Sequence, residues 1–128
     1  MREKRIVELS RKQRIGCFVL SVLFVVCAAL MNLWYRPYIY ANNIFDFHIA
    51  DSNSNFFAVP AALCFWLSID KFTASRLMYA PLYVSAGFVV YEFIGLTFDV
   101  YDLFATVLSG GICFAVICFM LKRGNGSK

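Results

Sequence analysis

An all-α membrane protein, a bundle of four transmembrane helices with both termini in the cytoplasm, is the fold class this sequence predicts. Three observations lead there. Four apolar runs, Ile15–Trp34, Phe56–Ile69, Leu77–Phe98 and Leu103–Leu121, alternate with short polar segments. Of the 12 Lys and Arg residues, all but Arg36 fall before the first run, between the second and third, or after the fourth. Basic segments resist translocation, so these clusters are expected inside. Finally, 61% of the residues are hydrophobic and 16% charged, which is more apolar surface than a soluble fold of this size can cover. Residues 1–128 are therefore read as a single membrane domain in the inner membrane.

Each element has its own justification. Residues 1–14 form a basic cytoplasmic N-terminus, read first as a topology signal; Glu8 and Lys12 have the spacing of a helical ion pair, which would support a short interfacial helix as the lesser alternative. Residues 15–34 are the first span. Their apolar run is too long for a secretory signal, whose core is about 7–15 residues. Residues 35–55 are read as an extracytoplasmic loop, lying on the membrane through Tyr35, Tyr38, Tyr40, Phe45 and Phe47. Residues 56–69 are the second span. It is short for a hydrocarbon core of about 30 Å, so its helix is expected to start nearer residue 52, capped by Ser52 or Ser54 and kinked at Pro60. Residues 77–98 and 103–121 are the third and fourth spans. The link Asp99–Tyr101 permits only an antiparallel hairpin. Residues 122–128 are a cytoplasmic tail. The net charge of +4 belongs to segments flanking spans. It points to anionic lipids at the cytoplasmic face rather than to nucleic acid.

Glu92 is the first candidate for function. Ionisable groups at membrane depth are costly and usually face the bundle interior with a partner. The expected end of the third span places Glu92 about 9 Å below the outer interface. Pro81, Ser85, Glu92 and Gly95 share one stripe of that span, and Asp102, Ala105, Thr106, Ser109 and Cys113 share one of the fourth. Two small, polar stripes are expected to face each other, with Thr106 or Ser109 nearest Glu92. Arg36, the lone outer cation, and Asn32 are further candidate partners. The candidate cleft is thus Glu92, Asp99, Asp102, Thr106 and Arg36. A carboxyl that holds the hairpin in register and a carboxyl that binds or exchanges a ligand both remain open. Asp102 also suits a helix N-terminus.

Other chemistry finds little purchase. Asp46, His48 and Asp51 share a loop, but their spacing matches no metal motif. Ser109-Gly110-Gly111 lies inside an apolar span and is read as close helix packing. All five cysteines (Cys17, Cys27, Cys64, Cys113, Cys118) lie in apolar runs without a CxxC pair, and are read as small fillers. No Ser/His/Asp arrangement is present, so no catalytic residue, cofactor or metal is assigned and an enzyme ranks last. A small proton- or cation-coupled transporter, with Glu92 as the exchanging carboxylate, is the alternative.

The stretch Tyr91-Glu92-Phe-Ile-Gly95 through Asp99-Val-Tyr101-Asp102-Leu103 to Ser109-Gly110 resembles the C-terminal half of VanZ-like bacterial membrane proteins. Glu92, Asp99, Asp102 and Gly110 match that pattern. Leu96-Thr97 stands where a basic residue is frequent, and Thr106 where Asn is. The resemblance implies a bacterial cell envelope, a link by name to glycopeptide resistance, and a non-enzymatic role for the acidic outer cleft. The ligand is left open, as is pairing with a second copy or another membrane partner.

Overall fold

The structure is a computed structural model and describes residues 6–95 and 98–126. A two-residue strand β1 (Ile6–Val7) precedes helix α1 (Arg11–Leu30), a π-helical turn (Met31–Tyr35) and the short α2 (Arg36–Ala41). Helix α3 (Ile49–Ile69), strand β2 (Phe72–Thr73), α4 (Ala74–Ile94) and α5 (Val100–Asn125) complete the chain. Three helical segments are long and apolar enough to cross a membrane: Arg11–Ala41, Ala74–Ile94 and Val100–Gly124. Helix α3 matches α4 in length, but its first turns carry Asp51, Ser52, Asn53, Ser54 and Asn55.

The expected outer loop is mostly helix. The first helical segment runs for 31 residues to Ala41, or about 46 Å at 1.5 Å per residue. The π turn immediately precedes Pro37, and its wider winding gives room where a proline ring would meet the carbonyl four residues back. Helix α3 begins at Ile49, before either serine expected to cap it, so only residues 42–48 link the two helices. Asn43, Phe47 and His48 turn that link in the left-handed region. Asp46 takes the capping role: its Oδ2 accepts from the Ala50 amide at 2.7 Å. The Ser52 hydroxyl instead donates to the His48 carbonyl.

The N-terminal segment does not follow the helical alternative. Ile6 and Val7 pair antiparallel with Thr73 and Phe72 rather than coiling into an interfacial helix, and Glu8 pairs with Lys71 at 3.3 Å instead of Lys12. Helix α1 starts only at Ser10, whose hydroxyl accepts from the Gln13 amide while Gln13 caps back. The pairing brings the start of α1 and the α3–α4 link to one end of the bundle. Leu121 packs into the same cluster as Phe72 and Leu77, so the end of α5 lies there too. That end carries Arg11, Lys12, Arg14, Lys71, Arg76, Lys122 and Arg123 against Glu8 and Asp70. The remaining terminal cations, Arg2, Lys4, Arg5 and Lys128, lie outside the described residues, as do positions 96 and 97 of the expected third span.

Helix α3 is central. It packs on α1 on one side and on α4 and α5 on the other, while α4 and α5 form the expected hairpin. At the basic end Leu63, Phe72, Ala80 and Ile117 form the apolar core. Trp66 meets Phe72 edge-on, and the Arg76 guanidinium lies over both rings. Asp70 ties this end together, accepting from the Lys71 amide (2.8 Å), the Trp66 indole (3.2 Å) and Arg76 (2.9 Å).

Midway along the bundle, Pro60 cannot donate to the Phe56 carbonyl four residues back. The Ser109 hydroxyl of α5 donates to that oxygen instead, at 2.6 Å. One helix thus repairs the gap in its neighbour, and α3 runs unbroken through its proline. Beside it, Gly110 lets α5 approach α4: a Cβ there would stand 1.9 Å from Ser85 Oγ and 2.9 Å from Ser85 Cβ.

Candidate functional site

A polar layer crosses the bundle at the end opposite the basic one. On the α1 side, Asn32 from the π turn donates to Ser54 Oγ at 2.8 Å. Asn53 Nδ2 donates to the Ala50 carbonyl at 2.7 Å and reaches Asn32 Oδ1 at 3.4 Å. Its own Oδ1 is buried without a partner among the described residues. On the α4 side, Asn55 Nδ2 donates to Glu92 Oε1 at 3.1 Å. These residues meet because α3 starts early, which winds the polar run Asp51–Asn55 onto the faces that the apolar run continues. Asn55 shares its face with the buried Val59 and Leu63 at four-residue spacing.

Glu92 is only 8% exposed. It lies in the last turn of α4, which ends at Ile94 with Gly95 as its C-cap. This is nearer the helix end than the expected depth of about 9 Å. The end of a helix is electrostatically unfavourable for a carboxylate, and the Asn55 donor offsets part of that cost. Asp102 lies within electrostatic reach of Asp99, Glu92 and Asp51, with Asn55 beside it. Asp99 caps α5, its Oδ1 accepting from the Tyr101 amide at 2.9 Å. Both aspartates thus complement the positive end of α5.

The expected partners of Glu92 are engaged elsewhere. Thr106 is fully buried and its hydroxyl donates back to the Asp102 carbonyl at 2.9 Å, while Ser109 is committed to Phe56. A hydroxyl on a helix readily returns its proton to a carbonyl one turn back, and that local option wins for Thr106. Arg36 pairs with Asp51 at 3.3 Å and lies over the Tyr40 ring, whose hydroxyl bonds the same carboxylate. Around this surface knot His48 stacks on Tyr101 with ring centroids 3.9 Å apart, which ties the 42–48 link to α5. Glu92, Asp99 and Asp102 therefore come together, Arg36 neighbours them only through Asp51, and Thr106 underlies Asp102.

Asn55 is the member that sequence reasoning missed. Its signal was there: extending the α3 pattern back one turn from Val59 places it on the buried face. Chemically the layer is rich in acceptors. Glu92 and Asp99 both lie within electrostatic reach of Asp102, with the Asn55 amide beside it, a grouping whose chemistry suits a multi-proton cationic donor through charge-assisted hydrogen bonds. Among the described residues no three His, Cys, Asp or Glu side chains are placed to hold a metal ion.

Compared with protein-family models, with curated proteins and with solved structures, the chain has no match.

Proposed function

We propose that this chain is a four-span protein of a bacterial inner membrane, with both termini in the cytoplasm and a VanZ-like, non-enzymatic role in the cell envelope. Its outer cleft, built on Glu92, Asp99 and Asp102, takes up a cationic group. The observation that carries the reading is Glu92: a carboxyl only 8% exposed, joined to a second helix through Asn55 and within electrostatic reach of Asp102. Packing alone gives no reason to gather carboxyl groups there. A cation relieves all of them together. The orientation is supported by the seven cations gathered at the opposite end against two acids. Exchange of protons by Glu92 in a transporter has less support, since the residue sits one turn from the end of its helix.

Glu92→Gln tests the cleft. The amide oxygen still accepts from Asn55, so the variant is expected to reach parental membrane abundance. The loss of charge removes the attraction for a cation, and with it the teicoplanin phenotype that the VanZ likeness implies. Glu92→Leu, which removes the acceptor that Asn55 uses on α4, is expected to lower abundance as well. Parental abundance and phenotype in both variants would overturn the reading.

A further inference from the structure

At the basic end a groove of about 400 Å³ opens along the outside of α4, lined by Thr73, Ser75, Arg76, Tyr79 and Tyr83. Its composition is graded. Hydroxyls and the guanidinium stand at the first turn of the helix. Tyr79 and Tyr83 follow one and two turns further in, 46% and 63% exposed. Helical side chains lean toward the N-terminus, so both phenols tilt back toward Ser75 and Arg76. The groove has a polar, cationic mouth and an aromatic wall that runs toward the middle of the helix. Asp70 and the rings of Trp66 and Phe72 hold Arg76 in place. Even with Asp70 and Glu8 each paired to a cation, the surrounding end keeps a large positive excess.

We propose that this groove seats one anionic phospholipid. Its phosphate meets Arg76 and the Ser75 and Thr73 hydroxyls, and an acyl chain lies along Tyr79 and Tyr83. Charge complementarity selects the headgroup, since a basic rim near a bilayer favours anionic over zwitterionic lipid. The graded lining selects a lipid over a free phosphate, which would leave the two tyrosines uncovered. The inference rests on the membrane reading but not on orientation, because either leaflet supplies headgroups at that level.

Native mass spectrometry of the full chain, released from bilayers of mixed phosphatidylcholine and phosphatidylglycerol, tests it. Bound phosphatidylglycerol is expected to exceed its share of the bilayer by about fivefold, the preference that one well-placed cation confers. Ser75→Glu is the informative variant. A carboxylate suits the first turn of a helix, so folding is kept, while the added charge repels the phosphate. Enrichment is expected to vanish in Ser75→Glu and to fall in Tyr83→Leu. No enrichment in the parent, or equal enrichment in all three proteins, would overturn the site; the latter would mean a diffuse attraction to the basic end. Release of the chain from membranes by alkaline carbonate would instead defeat the membrane reading itself.

Discussion

Single atoms decide whether α3, α4 and α5 can lie as close as they do. The Phe56 carbonyl loses its helical donor to Pro60 and gains the Ser109 hydroxyl, so the three residues form one thermodynamic unit although 53 positions separate Ser109 from Phe56. Ser109→Ala is expected to cost about 0.6–1.7 kcal/mol, the span from average to largest measured for hydrogen bonds between membrane helices. In a Pro60→Ala background, where the restored backbone amide supplies the helical donor, the same change should cost less. Unfolding in detergent of the parent, both single variants and the double variant measures that coupling, and strict additivity would show that the bond does not compensate for the proline. Gly110 gives a second test. Gly110→Ala drives a methyl group into Ser85, and overpacking of this kind costs about 1–3 kcal/mol. Ser85→Gly should recover part of the loss. A Gly110→Ala variant as stable as the parent would mean that α4 and α5 are further apart than described.

At the scale of elements, the sequence announced most helices but misjudged their ends. The third and fourth apolar runs were legible as a hairpin because a three-residue link leaves no alternative. The start of α3 was not, because Asp51–Asn55 has the composition of a loop. Those polar side chains are tolerated in a helix because each meets Asn32, Glu92, Arg36 or a nearby carbonyl, partners contributed mainly by other elements. Likewise β1 was invisible, since two residues carry no period and their pairing partners lie 65 or more positions away. The clasp that closes the α3–α4 link makes a pH prediction. The Lys71 amide first, then the Trp66 indole and Arg76, hold the Asp70 carboxyl below its ordinary value. A carboxylate with a lowered pKa stabilises the fold fully above about pH 4 and loses that contribution as the pH falls through the lowered value. Thermal scans should therefore show Asp70→Asn melting below the parent at neutral pH, with the two converging in acid. A constant gap at every pH would refute the assignment.

For the whole molecule, the helical membrane class was readable from composition and run length, and the grouping of the carboxyl groups from helical spacing. The partners within the cleft were not, because Thr106 and Ser109 each had a carbonyl to satisfy elsewhere. Orientation is the property that the arrangement makes most testable. The α1 start, the α3–α4 link and the end of α5 share one end, so the proposed four-span arrangement puts them on one side of the bilayer. Reporters placed after Gly126 and within the Asp70–Lys71 link should both give cytoplasmic signals, and one in the 42–48 link the opposite. Far-side signals from the first two, matching the reporter in the 42–48 link, would show that α3 does not cross.

The position of α3 also bears on how the chain is made. Helix α3, with its polar opening turns, is the one of the four long helices that is not among the three segments apolar enough to cross a membrane by themselves. Its polar groups are met by α1, which is synthesised earlier, and by α4 and α5, which are synthesised later. Helix α3 can therefore complete its polar contacts only after α4 and α5 have been made, so this layer of the fold closes when synthesis is nearly complete.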